Sequence, residues 1–218
     1  VLLFVLAALA GARVDPSLAP AGIEADFRAW ANASGRTGSD AELVCRPFAE
    51  RVSLCFMRAE GDARVYVTRV DGRTAEQLEA DGRGAATDAV KALEPVKVDG
   101  FPQPYWVRAA GDGRDHTPFL HPDALRTKLG GEPVVAAPAR GVLVAWVPGD
   151  LVFDKIVAVG VRRMYETLPD PVSPLIYRWD GEKWVTWGEA RAVAGEVGPA
   201  PTPAPATPGG AAAPTQGR

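Results

Sequence analysis

Both histidines of this 218-residue chain fall in one short stretch, Asp112-Gly113-Arg114-Asp115-His116-Thr117-Pro118-Phe119-Leu120-His121-Pro122-Asp123. Two histidines and a carboxylate, here His116, His121 and Asp115, are a recurrent set for a divalent metal. The same groups could also serve as general acid and base. The spacing argues against the helical form of a zinc site, in which two histidines four positions apart share one face. Here four residues, one of them Pro118, intervene. His121 directly before Pro122 also suits the entry to a helix, and His116 suits a loop. Metal, acid–base and capping roles therefore stay open at this stretch, and since the rest of a zinc motif is absent, no cofactor is expected.

Other chemistry-bearing types are sparse. Ser173 sits between prolines rather than in a Gly-x-Ser-x-Gly elbow, so its hydroxyl fits a turn better than a nucleophile. Gly111-Asp112-Gly113 lacks the strand–glycine–helix context of a phosphate cradle. Cys45 and Cys55 are separated by nine residues, which is not the Cys-x-x-Cys spacing that lowers a thiol pKa. In an exported protein they read as a disulfide across a hairpin; as free thiols they would be small buried groups. Aromatic residues cluster twice, at Tyr105 and Trp106 and again at Trp179, Trp184 and Trp187. The first reads either as an exposed ligand platform or as an irregular segment packed on the core; the second reads either as a shelf for sugars or peptides or as core packing, where cross-strand aromatic pairs contribute about 0.2–1 kcal/mol each.

The elements that position these residues follow from periodicity. Residues 23–33 carry Ile23, Phe27, Trp30 and Ala31 on one helical face. Residues 43–45, 52–57 and 64–70 alternate as strands of an antiparallel meander. Thr74 and Gln77 have capping-box spacing, so a helix starts there; Gly82 and Gly84 are expected to interrupt it. Pro122 opens a helix over 122–129, closed by Gly130. Residues 131–188 form the organising stretch: an apolar run at 134–137, a turn at 138–141, a second run at 142–147, and an Asp150-capped helix at 151–168. A hairpin follows, turning at Asp180-Gly181. Its Tyr177, Trp179 and Trp184 are expected to pack on that helix. The fold class is α+β: antiparallel sheets and hairpins packed against a few helices, in a single domain.

Composition sets the limits. Hydrophobic residues make up 47% and charged residues 23%, so a packed core is affordable in one domain. A formal net charge of −3 with mixed signs gives no electrostatic footprint for nucleic acid or an anionic membrane. Residues 1–12 are almost wholly apolar, too few to span a bilayer but the size of a signal-peptide core, with small residues at 8–12 suited to cleavage. The resulting domain plan is a signal-peptide remnant at 1–12, a Pro/Gly linker at 13–22, the α+β domain at 23–191, and a Pro/Ala-rich disordered tail at 192–218.

Pro133-Val134-Val135-Ala136-Ala137-Pro138-Ala139-Arg140-Gly141-Val142-Leu143-Val144, Pro171-Val172-Ser173-Pro174-Leu175-Ile176-Tyr177 and the Trp179–Trp184 hairpin are similar to the C-terminal part of the YtpQ-like family of uncharacterised bacterial proteins. The resemblance covers residues 131–187 only. Gly141 stands where the family pattern has an acidic residue after Arg140. The resemblance implies an α+β domain and brings no activity and no catalytic residues.

Together these features favour an exported bacterial domain, periplasmic or extracellular, that acts through an unidentified protein partner in the cell envelope rather than by catalysis. Membrane attachment would come only through an N-terminal anchor. The alternatives are a metal- or small-ligand-binding protein or hydrolase using the His116/His121 loop, and a cytoplasmic YtpQ-like protein whose apolar start belongs to the core.

Overall fold

The computed structural model describes residues 14–60, 63–69 and 72–195. Its first sheet is built on a central strand, β3 (Val52–Glu60). β1 (Val14–Pro20) runs antiparallel along one edge of β3, while β2 (Cys45–Ala49) and β4 (Ala63–Tyr66) follow one another along the other. α1 (Ile23–Ala33), with the bounds its periodicity predicts, connects β1 to this edge and buries only Ala31. Cys45 and Cys55 are cross-strand partners of β2 and β3, with Cα atoms 4.1 Å apart, and are joined by the expected disulfide.

The linker expected at 13–22 is instead β1, and the residues from Asp15 to Ala19 are buried. Pro16 and Pro20 suggest a loop because proline cannot join a sheet ladder on both sides. In an antiparallel pair, however, only alternate amides face the partner strand. Pro16, Leu18 and Pro20 share the edge that points away from β3, where a proline loses nothing, and edge strands are where prolines are tolerated.

Thr74 and Gln77 form the predicted capping box at the start of α2 (Ala75–Lys91): the Gln77 amide donates to Thr74 Oγ1 at 3.3 Å, and the Thr74 amide donates to Gln77 Oε1 at 2.9 Å. The helix does not break at Gly82 and Gly84. A helical glycine costs about 1 kcal/mol relative to alanine, which a capped end and the burial of Leu78, Ala89 and Val90 offset.

The second sheet has six antiparallel strands in the order β10-β9-β7-β8-β6-β5, formed by β5 (Glu94–Val96), β6 (Tyr105–Arg108), β7 (Val134–Ala136), β8 (Leu143–Trp146), β9 (Leu175–Trp179) and β10 (Trp184–Glu189). Its central strands are buried on both faces, which explains their unbroken apolar runs. Val134, Ala136, Val144, Trp146 and Ile176 face one core with α4 (Leu151–Thr167). Val135, Leu143, Ala145, Leu175 and Tyr177 face the other, shared with the first sheet, α2 and α3 (Pro122–Leu129). The Asp150 carboxylate accepts from the Val152 and Phe153 amides at 2.9 and 3.0 Å and so starts α4 as predicted. Gly130, in the left-handed region at φ 78°, ends α3.

Two expectations for the hairpin need correction. Its turn takes four residues, with Asp180 Oδ1 accepting the Glu182 and Lys183 amides. Its aromatic face also turns away from α4. Trp179 and Trp184 are direct cross-strand partners that pack towards Phe119, while Ile176 and Trp187 meet α4. A strand alternates faces residue by residue, so the choice made at Tyr177 fixes the rest. The described fold extends past residue 191 through a short α5 (Ala190–Val193), whose Val193 packs on the α4 core. The expected tail beyond 195 and the apolar start at 1–12 lie outside the described residues. No described helix is long and apolar enough to cross a membrane.

Candidate functional site

The His116–His121 stretch divides between two hollows. A 3-10 turn at Thr117–Leu120 separates the histidines, and each ring belongs to a different one. The described residues contain no group of three or more His, Cys, Asp or Glu placed to hold an ion. The metal-site candidates His116, His121 and Asp115 therefore do not converge.

His116 is buried, and both ring nitrogens are engaged. The Leu18 amide donates to Nδ1 at 3.0 Å, so Nδ1 carries no proton. Nε2–H then donates to the carbonyls of Ala139 and Val142 at 3.2 and 3.1 Å. Burial drives its pKa down to about 4, against the pull of the two carbonyls. The ring is thus a neutral cross-link. It takes the one amide on the outer edge of β1 between Pro16 and Pro20, and ties that edge to the turn after β7.

Around His116 lies a cleft of about 340 Å³. The loop from Ala109 to Asp115 forms one wall. Arg108, buried at the end of β6, holds this loop by donating to Asp112 Oδ2 at 2.6 Å and to the Arg114 carbonyl at 3.3 Å. Gly111 and Gly113 supply the two positive-φ turns, at 68° and 76°. A side chain at Gly113 would also collide with the Arg64 guanidinium, 2.3 Å from the Cβ position. Arg64 bridges the loop to β1, bonding Asp15 Oδ2 at 2.7 Å and the Asp112 carbonyl. Arg114 reaches the same buried Asp15 at 3.6 Å. Across the cleft, Arg140 pairs with Asp170 and hydrogen-bonds Tyr66. Asp115 is closed from solvent. Its Oδ1 accepts the Ala110 amide at 2.7 Å, and burial, with the nearby Asp112 charge, raises its pKa despite the Ala110 and Gly111 amides and Arg108.

The second hollow is an open groove of about 350 Å³. Phe119 and the buried Trp184 form its floor, with ring centroids 5.0 Å apart, and Trp184 Nε1 donates to the Phe119 carbonyl at 2.8 Å. Half-buried Phe48 and Trp179 form its walls, packed edge-to-face at 6.0 Å on Phe119 and 5.5 Å on Trp184 respectively. The rim carries charges of both signs. Arg46 lies over Phe48 and bonds Glu79 at 2.8 Å, and His121, Asp123, Glu182 and Lys183 complete it.

Of the five aromatic residues read as a surface, Trp187 packs on Trp146 in the α4 core, and Trp179 and Trp184 line this groove. Tyr105 and Trp106 do not: they are half-buried on opposite faces of β6, one against each core. Ser173 fixes a turn, as expected. Its hydroxyl accepts the Leu175 amide at 3.1 Å and donates to the Tyr177 hydroxyl. The sequence reading missed Phe48, Phe119, Arg46 and Glu79 of the groove, and Asp15, Arg64, Arg108 and Arg140 of the cleft. One signal was present: strand alternation puts Arg64 and Tyr66 on the same face of β4, where Arg64 lines the cleft and Tyr66 bonds Arg140. Compared with protein-family models, curated proteins and solved structures, the chain matches none of them.

Proposed function

We propose that this chain is an exported, non-catalytic domain of a bacterial cell envelope that acts by binding a protein partner through the Phe48–Trp179 groove. The groove carries this reading. Aromatic walls over a packed floor, with an arginine beside them and a rim of mixed charge, have the make-up of an interface hot spot and its surround. The histidine best placed by type for chemistry, His116, has both nitrogens committed to the fold, which supports binding over catalysis. The Cys45–Cys55 disulfide suits an oxidising compartment, in keeping with the signal-like residues 1–12.

Two measurements test the two halves of the proposal. The complete gene is expressed in a bacterial host, and intact mass is taken with and without reduction before thiol alkylation. A chain starting near residue 11 or 13, with thiols protected until reduced, is expected; an unprocessed chain with two free thiols overturns export. A photo-crosslinking residue is then placed at Trp179 or, as a control, at Arg163 on α4. A discrete adduct with one envelope protein at 179 and none at 163 is expected. No adduct at 179 overturns the contact reading.

A further inference from the structure

The cleft around Asp115 has a chemistry that a protein-binding groove does not explain. Asp115 is 1% exposed, and its Oδ1 is satisfied by the Ala110 amide. Its Oδ2 has no partner in hydrogen-bond geometry among the described residues, although the Gly111 amide also bears on the carboxylate, and Asp115 belongs to the wall of a cleft of about 340 Å³. Arg108 is not the missing donor: its guanidinium approaches Oδ1, at 3.8 Å, and bonds Asp112 and the Arg114 carbonyl. A buried carboxylate oxygen without a donor is costly, so the cavity is where a donor belongs. Gly141, at φ 77°, brings bare backbone to this spot: a Cβ there would stand in ordinary contact with Oδ2, at 3.6 Å.

The same cavity is lined by two cations from separate elements, Arg64 of β4 and Arg140 of the turn after β7. Each is steadied by its own carboxylate, Asp15 and Asp170 respectively. Arg64 also bonds the Asp112 carbonyl and Arg140 bonds Tyr66, but a guanidinium offers five N–H donors, so these partners do not saturate it. Among the described residues, the ion pairs around the cleft set Arg64, Arg108, Arg114 and Arg140 against Asp15, Asp112, Asp115 and Asp170. A bare amine or a bare carboxylate would upset that balance beside buried charges. A guest with separated charges and no net charge would not.

We propose that this cleft binds a free amino acid, its ammonium donating to Asp115 Oδ2 and its carboxylate accepting from Arg64 and Arg140. Met57 supplies an apolar wall for the side chain, and the cavity volume suits a small or medium aliphatic one. This site is separate from the groove, so either can exist without the other.

The test is isothermal titration of the full chain, disulfide intact, with L-alanine, L-valine and L-leucine, and in parallel with N-acetyl-L-valine and L-valinamide. Saturable one-to-one binding of at least one free amino acid is expected, weakened about tenfold or more when either end of valine is blocked. Asp115→Asn keeps an oxygen for the Ala110 amide and removes the charge; it and Arg140→Gln are each expected to weaken binding about tenfold. Trp179→Ala is expected to leave binding unchanged, which separates this site from the groove. No saturable heat from any free amino acid at millimolar concentration overturns the proposal, as does equally tight binding of the blocked compounds. Should a cleft variant fail to fold, the comparison of free and blocked ligands on the unaltered chain decides the matter alone.

Discussion

His116 and His121 are separated by the four residues of one 3-10 turn, and their surroundings differ in kind. The cleft side is held by hydrogen bonds and ion pairs among β1, β4, the loop after β6, the turn after β7 and Asp170. The groove side is held by ring packing on Phe119 and by a covalent tie, since the wall residues Arg46 and Phe48 belong to the strand that carries Cys45. The difference teaches that residue type does not assign a role. The histidine with the more suggestive neighbours, beside Asp115, is a structural cross-link, and the one that reads as a helix-entry residue borders the aromatic groove.

His116→Leu tests that contrast most severely. It roughly keeps the volume but strands the Leu18 amide and the Ala139 and Val142 carbonyls, at an expected cost of about 3–4 kcal/mol in denaturant unfolding. A loss under about 1 kcal/mol would break the contrast, because His116 would then be no more structural than His121. The unaltered protein should show the same ring in its pH dependence. Below its unfolded value of about 6.5 the unfolded chain takes a proton that the folded chain refuses until about 4, so stability is complete above that window and falls as pH drops through it. The His116 contribution is about 3 kcal/mol. Asp115, with its raised pKa, works in the opposite sense: it favours the fold at lower pH and loses that contribution as pH rises past its unfolded value. The slope between pH 6.5 and 4 should flatten in His116→Leu.

The disulfide sharpens the groove side. It closes a short loop of ten residues' separation, so Cys45→Ala with Cys55→Ala is expected to cost about 2–3 kcal/mol. Hydrogen exchange should rise chiefly in β2 and the Phe48 wall, while the amides bonded at His116 and Asp115 stay protected. Exchange that rises equally at both hollows would show that the two are not independent. Tyr177→Phe falls between the two regions: it removes bonds to Ser173 and to the Glu50 carbonyl, for about 1–2 kcal/mol. The smallest effect is expected from His121→Ala, under about 1 kcal/mol in the same unfolding assay.

Much of this architecture could be read from local pattern. The bounds of α1 and α3, the Asp150 cap, the Thr74–Gln77 box, the doubly buried strands at 134–136 and 143–146, and the cysteine pairing each depend on residues close in sequence or on one hairpin. What escaped depends on partners far away. β1 reads as a linker because its prolines are harmless only on an outer edge, and that edge is defined by β3 and plugged by His116. Gly82 and Gly84 look like breaks until the packing of α2 is counted. The direction of the Trp179–Trp184 face is set by Phe119, which lies in a different element. Of the cleft, Asp115 and His116 are visible as chemistry-bearing types. Their true neighbours are not, because Arg64 reaches Asp15 across 49 residues and the His116 ring meets Leu18 across 98.

The Tyr177 hydroxyl donates to the Glu50 carbonyl at 2.7 Å across 127 residues. A chain leaving the ribosome amino end first has therefore made β1 through β4 long before the hairpin that completes their core. Closing loops of that length must precede the contacts that stabilise them, which slows folding. Until Tyr177 and Trp184 arrive, the first sheet has α2 and α3 against it but lacks the second sheet's side of their shared core. For a chain read as exported, this delay has a use, because a polypeptide that folds late remains threadable while it is being moved.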